Sequence, residues 1–201
     1  GALATAVQQG KALYAAISNY PADTAAEAIQ ILREMGAPCL IHQARYSLLD
    51  RWIEDGLTTV LDDEEVGCIT FSPLAQGQLT ERYLEGIPDN SRAGKEHGFL
   101  QQSQVKQNIE TVRALKPIAE ARGQSIAQMA LAWTLANPTV TSTLIGASSV
   151  SQLKENLASL DNTEFSDEEF DTIGGLVIHE FGHLPKVGEL VALGDFTFTV
   201  K

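Results

Sequence analysis

Gly67-Cys68-Ile69-Thr70-Phe71-Ser72-Pro73-Leu74 is the stretch that decides the fold. A short apolar run, bounded by Gly before it and Ser-Pro after it, reads as a buried strand whose C-terminal end opens into a loop. Three other stretches repeat the pattern: Ala12-Leu13-Tyr14-Ala15-Ala16-Ile17-Ser18-Asn19-Tyr20, Cys39-Leu40-Ile41-His42-Gln43 and Thr143-Leu144-Ile145-Gly146-Ala147-Ser148. The segments between them read as helices, giving the order β-α-β-α-β-α-α-β-α. That order implies an α/β fold with a parallel sheet and right-handed crossovers. The C-terminal ends of parallel strands open on one face, and ligands bind there. Four such units are half of what an eight-stranded barrel needs.

Outward from these strands, Leu3 and Val7 belong to a helix that Gly10 stops. Thr24-Ala25-Ala26-Glu27 reads as a capping box opening a helix that buries Ala28, Ile31, Leu32 and Met35. Gly36 ends that helix and Pro38 precedes the second strand. A further helix carries Leu57, Val60 and Leu61. Residues 72–102 predict a long loop with Gly77, Gly86, Pro88, Gly94 and Gly98, and a loop of that length is functional or mobile. A helix follows over about 103–122, with a kink expected at Pro117. Ser125-Ile126-Ala127-Gln128 and Ser149-Val150-Ser151-Gln152 are two more capping boxes, the second opening a helix with Leu153 and Leu157.

The rhythm changes at Ser166. Ser166-Asp167-Glu168-Glu169 caps one more helix, which Gly174-Gly175 is expected to interrupt or end. Leu190–Leu193 and Phe196–Val200 then alternate like two strands joined at Gly194-Asp195, a hairpin signal. A boundary near residues 160–165 divides the chain into a 1–162 β/α unit and a 163–201 appendage of helix plus hairpin.

The 201 residues are 44% hydrophobic, enough for one domain and a small appendage. A net charge of −12 argues against nucleic acid as a partner. Cys39 and Cys68 open two strands and read as buried free thiols rather than a disulfide framework. No apolar run approaches the ~20 residues that span a membrane. No signal peptide is read at the start. Gly1-Ala2-Leu3 looks like an internal beginning, and the expected compartment is the cytoplasm.

Five motifs in order carry a family resemblance: Ile17-Ser18-Asn19-Tyr20; Gln43 with Tyr46; Phe71-Ser72-Pro73-Leu74-Ala75-Gln76-Gly77-Gln78-Leu79; Gly86-Ile87-Pro88-Asp89-Asn90-Ser91-Arg92; and Ile145-Gly146-Ala147-Ser148 with Gln152, Glu155 and Asn156. Residues 3–160 resemble the C-terminal half of an aldo-keto reductase, of the branch with glyceraldehyde-3-phosphate reductases and potassium-channel β-subunits. The resemblance implies a parallel half (β/α)8 barrel of four β/α units, with a small α+β C-terminal appendage. It also implies NADPH, and reduction of small aldehydes by the parent family.

The resemblance assigns Ser18, Asn19 and Gln43 to the nicotinamide carboxamide and Phe71 to stacking on its ring. It places Ser72, Pro73, Leu74 and Gln76 along the pyrophosphate. Arg82 and Arg92 match phosphate clamps, where a guanidinium offers paired donors. Gly146 and Ser148, with Gln152 at a helix N-terminus, fall where the adenosine 2′-phosphate binds. Glu155 and Asn156 meet the adenine. Read without the family, Ser18-Asn19 fits a plain turn and Phe71 fits the core. One departure is Ser149, where family members often carry Arg or Asn after Ser148, and a lost cation weakens the preference for NADPH over NADH.

Carbonyl reduction needs a proton donor. The family uses Tyr with Lys, Asp and His from the first half of its barrel. Ser18-Asn19 matches the end of the fifth strand, so no catalytic residue is assigned here, and none of Tyr14, Tyr20, Tyr46 and Tyr83 takes that role. The chain alone is expected not to catalyse. A half barrel also exposes two strand edges and lacks a core wall, so a homodimer completing a pseudo-barrel is expected. The alternative is a non-enzymatic structural or dinucleotide-binding module.

Phe165–Gly175, followed by Gly182–Glu189, resembles the small C-terminal domain of transporter-associated proteins of the cobalt-resistance and hemolysin-C type, which would make the chain a chimera. His179-Glu180-Phe181-Gly182-His183 has metalloprotease spacing. Gly182 and Pro185 oppose a helix there, and no third ligand follows, so no metal site is assigned.

Overall fold

Alternation along the strands shows why this sequence makes a sheet with one covered face. The computed structural model describes residues 1–94, 100–179, 190–193 and 196–199. Strands β1 (Ala15–Ser18), β2 (Cys39–Arg45), β3 (Gly67–Phe71) and β4 (Val140–Thr143) form one parallel sheet in that order. Pairs Ser18↔Gln43, Gln43↔Ile69 and Ile69↔Ser142 lie on one face, and Ile17↔His42 and His42↔Cys68 on the other. The Ile17–His42–Cys68 face is buried together with Ala15, Ala44, Thr70 and Val140. The opposite face leaves Ser18 and Ser142 exposed and Gln43, Ile69 and Phe71 half-buried. Strand order equal to chain order is the topology of a barrel arc.

The helices are α1 (Ala2–Gln8), α2 (Ala22–Glu34), α3 (Leu57–Asp63), α4 (Gln102–Ala121), α5 (Ile126–Ala136) and α6 (Val150–Leu157). Among them α5 is the core helix, with Ile126, Met129, Ala130, Leu131, Ala132, Trp133 and Thr134 all buried. Its capping box forms as expected: Ser125 Oγ accepts from the Gln128 N–H, and Gln128 Oε1 accepts from the Ser125 N–H. Both cysteines are free and buried, as the sequence predicts.

Several expectations need correction. Helix α2 starts at Ala22 behind Pro21, so Thr24-Glu27 is not its cap. The β1–α2 connection is short, and the fixed φ of Pro21 (−60°) already sets the helix entry. The buried stripe of α2 is Ala25, Ile29 and Leu32, while Ile31 and Met35 are exposed. Leu153 and Leu157 of α6 are likewise exposed, and the buried residue there is Asn156. Strand β4 is Val140–Thr143, so the Leu144–Ser148 part of the stretch read from the sequence lies beyond it. Helix α4 contains Pro117, as expected of one helix over about 103–122. The long loop is not featureless: it holds two 3-10 turns, Ala75–Gly77 and Glu81–Tyr83. Tyr83, Ala93 and Leu100 pack in one cluster with Val105 of α4.

The chain divides into two compact units, Gly1–Phe165 and Ser166–Lys201. In the second, α7 (Asp167–His179) is capped by Ser166 and Glu169, which exchange side chain-to-backbone bonds at 3.2 and 2.8 Å. It continues through Gly174-Gly175 rather than ending there. Strands β5 (Leu190–Leu193) and β6 (Phe196–Thr199) pair antiparallel, as expected for a hairpin. The Gly194-Asp195 turn and residues 180–183 of the metalloprotease-like spacing lie outside the described residues. Among the described residues no cluster of His, Cys, Asp and Glu could hold a metal, and no helix is long and apolar enough to cross a membrane.

Candidate functional site

The strand C-termini bring the first group of site residues to one edge. Asn19 follows β1 with a left-handed φ of 56°, its N–H donating to the Gln43 carbonyl at 3.0 Å. Its Oδ1 accepts from the Arg45 N–H at 3.1 Å. Asn19 thus ties β1 to β2, so the turn role is real and leaves its side-chain N–H2 for a ligand. Ser18 and Gln43 face each other in register, and the Gln43 amide has no hydrogen-bond partner among the described residues. Phe71 ends β3 opposite Arg45 and is half-buried, which keeps part of its ring accessible.

The chain then turns sharply. Ser72, Ala75 and Gln76 all adopt left-handed φ (56°, 46° and 61°), followed by Gly77 at 97°. Each non-glycine residue in that region costs about 1–2 kcal/mol. With Asn19, four of the five such residues in the described chain sit at this edge of the sheet. Clustered backbone strain of this kind marks functional sites. The turn is closed by bonds from Ala75 N–H to Ser72 O (2.9 Å) and Gly77 N–H to Leu74 O (2.8 Å).

Beyond it, Arg82 donates to the Asn90 carbonyl at 3.2 Å, which leaves the rest of its fork open. Arg92 is exposed, with no partner among the described residues. Gly94 sets this loop. A Cβ there would lie 2.6 Å from the carbonyl oxygens of both Pro88 and Asp89, so only glycine fits. Its N–H donates to Ser91 Oγ at 3.1 Å.

On the far side, β4 leads to Gly146, Ser148 and the start of α6. Ser149 Oγ caps α6 by accepting from the Gln152 N–H at 3.1 Å. Gln152 Oε1 accepts from both Ser148 N–H (2.7 Å) and Ser148 Oγ–H (3.0 Å). Asn156 is buried, and its Nδ2 has no hydrogen-bond partner. An orphaned buried donor is costly in a finished protein, about 1–3 kcal/mol.

These three segments enclose a groove of about 860 Å³. Of the sequence-predicted residues, Ser72, Pro73, Leu74, Gln76, Arg82, Arg92, Gly146, Ser148, Gln152, Glu155 and Asn156 line it. Ser18, Asn19, Gln43 and Phe71 do not; they stand at the adjoining strand ends, connected through the Phe71-Ser72 peptide. Thr80, Glu81, Tyr83 and Ser125 line the groove and were not foreseen. Ser125 carried a signal, its capping box, because the N-terminus of α5 abuts the groove beside α6. There Gln128 Nε2 donates to the Glu155 carbonyl at 3.1 Å.

Tyr46, near the same strand ends, is structural. It is buried, its hydroxyl donates to Glu54 Oε1 at 2.7 Å and accepts from Asn137 Nδ2 at 3.3 Å. Burial drives its pKa well above the usual tyrosine range. Its ring lies 5.2 Å from that of Trp133, over which the Arg51 guanidinium sits at 5.3 Å. On the covered sheet face, burial pushes the Cys68 thiol up to about 11 and lowers the His42 imidazole.

The residues suit a dinucleotide at most points. The donor set, the concave edge and the orphaned Asn156 amide all fit an elongated ligand rich in acceptors, whereas the Ser148–Gln152 end offers no cation. Comparison defines the class: over residues 1–178 the chain matches the Aldo/keto reductase family, and it belongs to that family. The match takes in α7, the helix at which the likeness of the tail to transporter-associated domains begins. The chain is similar to L-glyceraldehyde 3-phosphate reductase of Escherichia coli strain K12, with 48% identity over 86% of this chain and 51% of the relative. It is also similar to a probable voltage-gated potassium channel subunit beta of Oryza sativa subsp. japonica, at 34% identity over 77% of this chain and 49% of the relative. A crystal structure of a thermostable aldo-keto reductase in complex with the inhibitor epalrestat superposes with a TM-score of 0.63 at 28% identity, covering 87% of this chain and 52% of that one. The fold is therefore a partial TIM barrel, and the chain spans about half the length of the curated relatives it matches.

Proposed function

We propose that this chain is the dinucleotide-holding half of an NADP(H)-dependent aldo-keto reductase. The observation that carries the reading is the buried, unpartnered Asn156 amide on a groove whose other walls are the predicted site residues. The dinucleotide would supply a hydride for a carbonyl. Phe71 would stack on its ring, with the unpartnered Gln43 amide and the Ser18 hydroxyl holding the carboxamide. Arg82 and Arg92 would hold phosphate oxygens. The name of the Escherichia coli relative suggests a small phosphorylated aldehyde as the family's substrate here. The acid that reduction requires is not Tyr46, whose proton goes to Glu54. Binding without turnover is accordingly the behaviour proposed for the chain by itself. Calorimetric titration with NADPH, paired with an absorbance assay on glyceraldehyde 3-phosphate, tests this. One-to-one binding without oxidation is expected. No binding up to about 1 mM, the limit of weak affinity, would sink the reading.

The open sheet supports a second copy as partner. Leu13, Tyr14, Leu40 and Leu144 are exposed at the sheet, and Val150, Leu153, Leu157 and Leu160 form a bare stripe on and after α6. Two copies would join β1 to the partner's β4 twice, making eight parallel strands. Sedimentation should give a dimer, and Leu153→Glu with Leu157→Glu should give monomers; a wild-type monomer at all concentrations refutes the pairing. The aldo-keto reductase match runs through α7 to residue 178, so a transporter-associated appendage is proposed only for the residues after it, where the antiparallel pair β5–β6 is the observation behind it. The cytoplasm also stays a proposal, on the lack of any membrane-crossing helix among the described residues.

A further inference from the structure

We infer that Asn108 on α4 is a positioning residue: through Gln78 it holds the strained turn of the groove, and so sets the affinity for the pyrophosphate of a dinucleotide. The inference rests on the dinucleotide reading above and deepens it. It starts from the backbone. Ala75 and Gln76 hold left-handed φ values of 46° and 61°. Such strain persists only where the surrounding structure over-determines it. Within the turn the Gly77 and Leu79 N–H groups both donate to the Leu74 carbonyl, at 2.8 and 3.2 Å. Those bonds close the turn locally, and further contacts must hold it in place.

Two side chains grip carbonyls of the turn. Thr80 Oγ1 donates to the Gly77 carbonyl at 2.7 Å and accepts from the Arg82 N–H at 3.2 Å. Gln78 Nε2 donates to the Ala75 carbonyl at 3.2 Å, and Gln78 Oε1 accepts from Asn108 Nδ2 at 2.9 Å. The polarity of this relay is forced. A carbonyl only accepts, so Gln78 turns its nitrogen to Ala75 and its oxygen to α4, and Asn108 must donate. Thr80 acts inside the loop, whereas the relay reaches a helix of 20 residues. Gln78 is buried and Asn108 half-buried, a setting in which such a bond is stronger than in water. Farther along α4, Arg113 Nη2 donates to the Leu84 carbonyl at 2.9 Å, just past the turn that carries Arg82. That second tether keeps the arginine turn in place when Asn108 is changed. Among the described residues, neither Gln78 nor any residue of α4 lines the groove, while Leu74, Gln76 and Gly77 do. An effect of Asn108 on binding therefore passes through the turn.

The test uses Asn108→Leu, which removes the donor from α4, and Gln78→Met, which removes the relay itself. Both changes are neutral and close in size, so neither alters the charge that a pyrophosphate meets. The probe is ADP-ribose, which carries the pyrophosphate without the nicotinamide. Calorimetry on the full chain should show its affinity about tenfold weaker in each variant, ~1.4 kcal/mol. Asn108→Gln keeps the amide donor on a longer arm and should bind within about threefold of the wild type. In the ligand-free protein, the Gly77 and Leu79 amides should exchange hydrogen about tenfold faster in Asn108→Leu and Gln78→Met, as the turn opens more often. Faster exchange with unchanged ADP-ribose affinity would make Asn108 a structural residue only, and unchanged exchange would break the relay. Either result overturns the inference and leaves the dinucleotide reading standing. An Asn108→Gln as weak as Asn108→Leu would tie the effect to side-chain size instead of the donor, and overturns it too. Absence of ADP-ribose binding by the wild type would overturn the dinucleotide reading and this inference with it.

Discussion

Two buried polar clusters in this chain behave in opposite ways. Around Tyr46, the hydroxyl has both a donor and an acceptor partner, Glu54 is also paired with Arg51 at 2.7 Å, and Arg51 lies over the Trp133 ring. Asn156, also buried, lines the groove and leaves its own buried Nδ2 without a partner. Completeness of hydrogen bonding distinguishes these two clusters; His42 Nδ1, on the covered sheet face, is the other buried side-chain atom without a partner among the described residues. The satisfied cluster holds β2 to α5, and the unsatisfied one is where the proposed ligand would supply an acceptor.

The sharpest way to break this comparison is to cut into the satisfied cluster. Trp133→Ala removes a side chain that is 2% exposed at the centre of α5, and should cost about 3–5 kcal/mol of stability. Urea denaturation reads the loss. At a temperature where the variant still folds, its affinity for ADP-ribose should equal the wild type's; a parallel loss of affinity would show that the two clusters are one.

Gly94→Ala acts at the other wall. The new Cβ meets two carbonyl oxygens at 2.6 Å, so the 88–94 backbone must shift. Overpacking of this kind costs about 1–3 kcal/mol. The shift also displaces Arg92 and the Asn90 carbonyl that holds Arg82. Stability and dinucleotide affinity should therefore fall together. Unchanged affinity would remove the two arginines from the site.

Asn156→Leu should separate the two quantities in sign. Replacing an unsatisfied amide by an apolar group of similar size is neutral or stabilising by about 1 kcal/mol, while affinity for ADP-ribose should drop by about tenfold, ~1.4 kcal/mol. If stability fell instead, Asn156 would hold a structural bond and the contrast with Tyr46 would collapse.

How much of this could be read in the sequence follows from range. The strands and the α5 and α7 capping boxes depend on neighbours within a few residues, and they appear close to where the sequence places them; at α6 Ser149 caps the helix, but the Gln152 side chain bonds Ser148 rather than closing a box on Ser149. The α2 stripe and the bare Leu153 and Leu157 were misread for one reason: helical spacing shows that a face is apolar, but not whether a partner element covers it. The site residues carried by motifs gather at one edge. What no local pattern disclosed was the strain at Ser72, Ala75 and Gln76, because those φ values are imposed by the turn and not by residue type. The mutual engagement of Ser148 and Gln152 was equally hidden, since it depends on how α6 meets the end of β4.

His42 gives the smallest effect and the finest test of the comparison, because its chain neighbour Gln43 points to the opposite face. The imidazole is fully buried on the covered side, where Nε2 lies 3.2 Å from both the N–H and the carbonyl of Tyr20. Burial lowers its pKa below the ordinary 6.5. The unfolded chain therefore takes up a proton at a pH where the folded chain does not. The stability this neutral side chain contributes is complete above the unfolded pKa and is lost as pH falls toward the folded one, with a slope of at most about 1.4 kcal/mol per pH unit. Urea midpoints should fall from about pH 7 to about pH 5, a window set by the reference histidine value, and fall less in His42→Gln. Carboxylates elsewhere titrate in both proteins, so the difference between the two curves isolates the imidazole. Affinity per folded molecule for ADP-ribose should not follow that difference. If it did, protonation behind the sheet would be reaching the groove through β2, and the two faces could not be treated as separate parts.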